Sequence, residues 1–508
     1  MRKDTGAQPR PIRTILIANR GEIAVRIVRA CRELGIASAA VYSDADELAP
    51  HVAAADAAFR IGPPPSAQSY LSIEAILEAA REAGADAVHP GYGFLSENAR
   101  FSRAVQEAGL VWIGPPPATQ EALGDKLAAR RAASKAGVPV VPGLLMALAD
   151  GAHAEAAEIG FPAMLKAAAG GGGRGMRRVE SVDELPAAMA AARREATSAF
   201  GDGTLYLERL IAPARHVEVQ LLGDRAGALA CLGERDCSVQ RRHQKLVEES
   251  PSPAVTPAVR EALFESARRV ARTVEFHNAA TVEFLLDPDG KHYFLEMNTR
   301  LQVEHGVTEL VTGLDVVAWQ ILIAAGASLD RSLLEPAPRG HAIEIRVYAE
   351  DPYAGFAPVA GTVTCWQPAD GPGVRVDHAL VEGAPLSSEY DPLLAKLMVH
   401  AADRPAAVRR LRRALDETLV GGLQTDLGFH RWLVDQPEFT SGDYHTGLIA
   451  ERWVDGPSLT APEASLAAFA AVEARSSWGS GSGAAPVPGT GTSGSEWARQ
   501  ARREALRQ

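Results

Sequence analysis

Short apolar runs alternate with amphipathic stretches through the N-terminal part of the chain. Ile15-Leu16-Ile17-Ala18 is a buried strand by its pattern. It leads through Asn19-Arg20-Gly21-Glu22 into a helical stripe of Ile23, Ile27, Cys31 and Leu34 that Gly35 ends. A strand Ala39-Ala40-Val41-Tyr42, a helical stretch Ile73 to Ala83, a strand Asp86-Ala87-Val88-His89 and a helix ended by Gly109 follow. Strands alternating with helices predict a parallel sheet of the nucleotide-binding type. The turn Pro90-Gly91-Tyr92-Gly93 then falls at a strand's carboxyl end, where open α/β sheets bind ligands. No G-x-G-x-x-G is present there, so dinucleotide binding is not supported.

A second unit begins near Gly124-Asp125-Lys126. It carries a strand Ala163-Met164-Leu165-Lys166, the run Gly170-Gly171-Gly172-Gly173-Arg174-Gly175, and a further strand Met176 to Val179. A third unit opens near Gly340 with the strand His341 to Tyr348 and includes a helix with Val408, Leu411, Leu415 and Leu419 on its apolar face. From about Ala474 the chain turns Ser/Gly/Ala/Pro-rich, as in a flexible linker, and then basic from Trp497 to Gln508. There is no internal repeat.

At 508 residues the chain is too long for one core, and the length prior is roughly three domains. A net charge of −11 argues against a nucleic-acid surface, which needs a basic face. The four cysteines are scattered, with no C-x-x-C pair, which fits a reduced compartment and excludes a cysteine-rich zinc site. No apolar run approaches the ~20 residues of a membrane span, and the first residues lack the apolar core of a secretory signal. A cytoplasmic protein is expected.

The densest chemistry lies in Glu296-Met297-Asn298-Thr299-Arg300-Leu301-Gln302-Val303-Glu304-His305, just after a strand carrying the isolated acid Glu283. Asp287-Pro288-Asp289-Gly290 folds the two strands into a hairpin, bringing Glu283 near Glu296; Asn298, two residues on, shares that side. Three oxygen donors on one face suit Mg²⁺, which takes one or two carboxylates and leaves its other positions to water and phosphate. On pattern alone the same acids equally mark a solvated face. The glycine run is no P-loop, because no Gly-Lys-Ser/Thr follows. Between two strands and flanked by Lys166 and Arg174, it reads as a lid whose backbone amides approach phosphate oxygens, rather than as a plain hinge. Lys126 and Lys166 are either surface lysines or point charges for phosphate. The polar run Glu234 to Lys245 is either a solvated loop or an anion site. Cys237 within it reads as a small thiol, since nothing nearby activates it.

Taken in order, these segments closely resemble the biotin carboxylase family of the ATP-grasp superfamily. The matching residues are Ile17 to Ala24, His89 to Asn98, Gly124 to Lys126, Gly170 to Met176, Glu234 to Lys245, Glu296 to His305 and Tyr390-Asp391-Pro392, spanning about residues 12 to 455. The resemblance implies a mixed α/β and α+β chain: a Rossmann-like parallel α/β domain over 12–125, an ATP-grasp domain over 126–339 with a mobile lid at about 140–212, a C-terminal α+β domain over 340–455, and a flexible linker with a basic tail over 456–508. It implies ATP- and bicarbonate-dependent carboxylation of biotin through carboxyphosphate, as the first half-reaction of an acyl-CoA carboxylase, with Mg²⁺ or Mn²⁺.

By the same resemblance Lys126, Lys166, Gly172, Gly173, Glu208, His216, Gln240 and His243 meet ATP, and Glu283, Glu296 and Asn298 hold the metal. Lys245, Arg300, Gln302 and the Val303 amide form the bicarbonate pocket. Glu304 is the base for bicarbonate, and Arg346 steadies the biotin enolate. Biotin is expected on a separate carrier protein, because no methionine here neighbours a lysine as in the family's biotinylated turn. The other expected partners are a carboxyltransferase subunit and a second copy of the chain or a larger assembly, with the basic tail a frayed end or, alternatively, a docking helix. Three departures stand out. Gly306 replaces the usual proline and is expected to loosen the loop holding Glu304; Ala168-Ala169 replace a usual Ser-Gly; and Arg346 to Pro352 looks more like the larger acyl-CoA carboxylase subunits. The lid and metal residues alone also fit another ATP-grasp ligase, of carbamoyl-phosphate or carboxylate–amine type. A non-catalytic nucleotide-binding scaffold is a further alternative.

Overall fold

The N-terminal strands are short and almost purely apolar because both their faces are covered. Strands β1 (Thr14–Ile17), β2 (Ala37–Ser43), β3 (Ala57–Gly62), β4 (Ala87–His89) and β5 (Val111–Trp112) form a parallel sheet in the order β3-β2-β1-β4-β5. Ile15, Leu16 and Ile17 are fully buried at its centre. The helix Gly21–Glu33 buries Ile23, Ile27 and Cys31 as its stripe predicts. β3 escapes the sequence pattern, because Ala57-Ala58-Phe59-Arg60-Ile61-Gly62 neither alternates nor forms a continuous apolar run. The crossovers leave the sheet in opposite directions between β1 and β4, and the turns after those two strands meet there. Asn19 Nδ2 donates to the carbonyls of both Pro90 and Tyr92 at 2.7 Å.

The computed structural model describes residues 11–144, 146–149, 153–168, 175–334 and 336–454. The glycine run with Gly172, Gly173 and Arg174, and the expected linker and basic tail, lie outside the described residues. Every strand and helix among the described residues belongs to the unit that ends at Arg452.

Strands β6 (Ala163–Ala167), β7 (Arg177–Val179) and β8 (Leu205–Arg209) form a small antiparallel sheet in the order β7-β6-β8. The glycine run therefore joins two paired strands.

The largest sheet is antiparallel. It runs from β13 (His292–Asn298) through β12 (Asn278–Leu286), β9 (Arg215–Gly223), β10 (Leu229–Arg241), β11 (Gln244–Ser250) and β14 (His341–Tyr348) to the strands Leu393–Ala401 and Val374–His378. The hydrogen-bonded ladder thus continues across residue 340, where the sequence pattern starts a third unit. β9 alternates from His216 to Leu221: Val217, Val219 and Leu221 enter an apolar core with Val282, Phe284 and Phe294. His216, Glu218 and Gln220 take the other face, yet they are only 7%, 0% and 0% exposed. An alternating strand usually has one wet face; here both are covered, and the polar one is the floor of a site.

The helix Arg404–Glu417 buries Val408, Leu411 and Leu415, but not Leu419. The chain turns extended at Thr418, and Leu419 lies on the short strand Leu419–Gly421, 48% exposed. Its four-residue spacing from Leu415 therefore misled the helix reading. Among the described residues no single helix is long and apolar enough to cross a membrane.

Candidate active site

A cleft of about 990 Å³ opens over the polar face of β9–β14, walled by the turns after β1 and β4 and by the small sheet. Of the sequence-nominated residues, it brings together Lys126, Lys166, Glu208, His216, Gln240, His243, Lys245, Glu283, Glu296, Asn298, Arg300, Gln302, Val303 and Arg346. Glu304 lies just behind the wall, fully buried.

The hairpin forms as its turn predicts, with Glu283 directly opposite Glu296 and Thr281 opposite Asn298. Each acid already has a cation. Glu296 pairs with Lys126 at 2.9 Å, whereas Glu283 faces Lys245 at 3.0 Å and His216 at 2.8 Å. Asn298 donates its amide to Glu283 at 2.8 Å. Burial alone would raise the Glu283 pKa, but the Lys245 ammonium and His216 outweigh it and hold the carboxylate well below its usual range. Two carboxylates and an amide oxygen donor on adjoining strands fit a hard divalent cation such as Mg²⁺. At the outer end Lys166 meets Glu208 at 2.5 Å, and Glu208 is also held by the buried Arg130.

A two-residue turn, Arg242-His243, joins β10 to β11 with both residues at positive φ, +48° and +68°. Such backbone costs roughly 1 kcal/mol per non-glycine residue. What it achieves is proximity: Gln240 and Lys245 become direct cross-strand neighbours. Burial, and then Lys166, His216 and Lys126, push the His243 imidazole down to about 4, so it is neutral near pH 7.

Lys245 is the centre of the inner end. Its ammonium touches Glu218 at 2.6 Å, Glu304 at 2.7 Å and Glu283 at 3.0 Å. Arg346 binds Glu304 from the other side at 3.0 Å and Glu248 at 2.6 Å. Burial would raise the Glu304 pKa, yet Lys245 and Arg346 together hold it well below the carboxylate range. Arg300 extends its guanidinium beside them, bonded to Gln302 at 2.8 Å and to Glu97 at 3.0 Å. Cys237 is buried, and burial pushes its thiol well above the usual range, so it is no nucleophile.

Positively charged side chains therefore line both ends of one cleft, and a buried acid sits between two cations at its inner wall. The profile of the biotin carboxylase N-terminal domain matches residues 11–120, and that of its C-terminal domain residues 344–451. Between them the ATP-binding domain of the carbamoyl-phosphate synthase L chain matches residues 125–332. The chain belongs to the biotin carboxylase family. It is 50% identical over 440 residues to the biotin carboxylase of Halalkalibacterium halodurans, covering 86% of this chain and 97% of that one. To the biotin carboxylase of Nostoc it is 48% identical, over 86% and 98% of the two chains. Among solved structures, a Campylobacter jejuni biotin carboxylase complex superimposes with a TM-score of 0.85 at 44% identity, over 87% of this chain and 99% of that one. The biotin carboxylase domain dimer of Hydrogenobacter thermophilus 2-oxoglutarate carboxylase, solved with MgADP, ADP and bicarbonate, gives 0.86 at 43%, over 88% and 99%. Biotin carboxylases are ATP-dependent ligases that form a C–N bond.

Several residues at this biotin carboxylase site were not singled out from the sequence. Glu218 was detectable, since its place between His216 and Gln220 on β9 puts it on the site face. Arg235, fully buried, holds Glu218 at 2.5 Å and also bonds Gln220, Thr281 and Thr308. Glu97 and Glu248 reach the site only through packing. The expected loosening at Gly306 is not what the structure holds. Gly306 is the second residue of the helix His305–Thr312, and a β-carbon there would overlap the thioether of the fully buried Met398. That space is filled, so the glycine is fitted rather than slack.

Proposed function

We propose that this chain carboxylates biotin in two steps. Bicarbonate is first phosphorylated by ATP to carboxyphosphate, whose carboxyl carbon then passes to the ureido nitrogen of biotin presented by a carrier protein, while inorganic phosphate leaves and takes up the ureido proton. The observation that carries the reading is Glu304 clasped between Lys245 and Arg346, beside a cleft whose other end bears Lys126 and Lys166.

ATP lies with its phosphates toward Lys126 and Lys166, which act as point charges, and Gly172 and Gly173 keep the phosphate-binding role that the resemblance implies. Glu208 orients Lys166, while Gln240, His216 and neutral His243 line the nucleotide side. Glu283, Glu296 and Asn298 would hold Mg²⁺ or Mn²⁺, which when bound neutralises developing charge on phosphate oxygens. Bicarbonate enters between Lys245, Arg300, Gln302 and the Val303 amide, and the planar guanidinium matches two of its oxygens. An incoming anion shares the Lys245 charge, so less of it falls on Glu304. The Glu304 carboxylate then becomes basic enough to take the bicarbonate proton as the oxygen attacks the γ-phosphorus and ADP leaves. Arg346 is left to balance negative charge on the biotin oxygen.

The domain limits 12–125, 126–339 and 340–455, a carboxyltransferase partner, a homodimeric or larger assembly and a cytoplasmic location belong to the same reading. Supporting it are relatives named as subunits of multi-component carboxylases. The test is ATP hydrolysis by the purified chain with bicarbonate, with and without free biotin. Hydrolysis that requires bicarbonate and rises with biotin is expected. Hydrolysis indifferent to both sinks the reading, and dependence on ammonia or an amine favours another ATP-grasp ligase.

A further inference from the structure

The strand Leu393–Ala401 contributes no residue to the nominated site, and it carries a fully buried lysine. Lys396 Nζ donates to the carbonyl of Val303 at 2.9 Å and lies 3.2 Å from Glu22 and 4.0 Å from Asp377. Removing an ammonium from water is costly, and a well-packed apolar side chain of similar volume is often no worse for stability. A charge retained at such a site therefore needs a reason in its contacts.

Those contacts converge on one turn. In the sheet Lys396 is the direct cross-strand partner of Arg346. Arg346 grips the Glu304 carboxylate; Lys396 grips the carbonyl of the peptide that joins Val303 to Glu304. Two residues along, on the same side of the strand, Met398 fills the space beside Gly306. One strand thus backs the whole turn Val303 to Gly306. Glu22 connects this grip to the cleft wall, because it also receives a hydrogen bond from Tyr92.

We propose that Lys396 is a positioning residue for the phosphoryl-transfer step. By fixing the Val303–Glu304 peptide plane at its carbonyl, it sets where the Glu304 backbone and carboxylate stand and steadies Val303, whose own amide lies on the preceding peptide, before bicarbonate arrives. The inference rests on the biotin carboxylase reading above. Lys396 touches no substrate itself, and its effect is geometric: a misplacement of about 1 Å in such an arrangement costs on the order of 100-fold in rate.

The experiment compares the wild-type chain with Lys396→Met and Lys396→Gln, with rates normalised to the number of ADP-binding sites. Lys396→Met should lower kcat for bicarbonate-dependent ATP hydrolysis on the order of 100-fold and raise KM for bicarbonate, with ADP affinity within about twofold of wild type. Lys396→Gln keeps an N–H for the Val303 carbonyl and should recover about tenfold over Lys396→Met. Normal kcat and KM per ADP-binding site in either variant overturns the proposal, even with a lower Tm, because that is what a merely structural lysine produces. If Lys396→Met does not fold, Lys396→Gln decides alone: a kcat down about tenfold with ADP binding intact supports it, and an unchanged kcat refutes it. Failure of the broader reading looks different, since the wild-type chain itself would then show no bicarbonate dependence.

Discussion

Glu283 and Glu296 face each other across one antiparallel pair, but they belong to different charge networks. Glu296 pairs with Lys126 near the cleft's outer part; Glu283 is locked among Lys245, His216 and Asn298. The hairpin therefore links the outer charge network of the cleft to the inner one, and the proposed metal assignment is best tested at its less entangled member. Glu296→Gln should weaken the apparent Mg²⁺ affinity in ATP hydrolysis by at least about tenfold. Its Tm should change little, as Glu296 is only partly buried and Lys126 alone loses a partner. Glu283→Gln should lose activity too, with a larger stability penalty. A normal Mg²⁺ titration for Glu296→Gln removes it from the metal site.

Glu304→Gln keeps the shape of the side chain but cannot accept a proton. It should lower bicarbonate-dependent kcat about 100-fold or more, with ADP binding preserved. Arg300→Lys should mainly raise KM for bicarbonate, because a point charge cannot reproduce the paired N–H groups of the guanidinium. Initial rates over a bicarbonate series separate the two, and a wild-type rate in either variant ends that residue's assignment.

At Gly306 the neighbour decides. Gly306→Ala should destabilise the protein by about 1–3 kcal/mol through overpacking against Met398. In a Met398→Ala background the same change should cost much less, giving clear coupling in a double-mutant cycle followed by urea unfolding. Additive costs would show that the thioether moves aside freely.

Glu249 provides the acid response. It is buried and bonded by His341 at 2.5 Å, by Arg404 at 2.7 Å and by Tyr444. Burial pushes its pKa up, but His341 and Arg404 prevail and bring it down to about 2. Between about 4.5 and 2 the unfolded chain binds this proton and the folded one does not. The stabilisation is therefore complete above about pH 4.5 and is lost as the pH falls toward 2. Glu249→Gln should cost about 3 kcal/mol at pH 7, as expected for one partner lost from a buried pair. The gap to wild type should narrow as unfolding is measured from pH 5 down to pH 3.5; a gap constant over that range contradicts the assignment.

Local signals in the chain determined the centre of the parallel N-terminal sheet, β1, β2 and β4 but not β3 or β5, and the turn that sets Glu283 opposite Glu296. Both depend on neighbours in sequence: a 3.6-residue stripe, a continuous apolar strand, a four-residue turn. The order of motifs likewise nominated about half of the polar residues that line the cleft. What only the tertiary structure decided is the inner charge network. Glu218, Arg235 and Glu248 come from three successive strands, Arg346 and Lys396 from strands much later in the chain, and their registers arise from sheet pairing that no local period encodes. Alternation says which side chains share a face. It cannot say that the polar face is sealed, because the covering comes from the cleft wall and from residues beyond 340. Once that face is dry, each buried charge must find a partner. That requirement clasps Glu304 between Lys245 and Arg346 and draws Lys396 to the Val303 carbonyl.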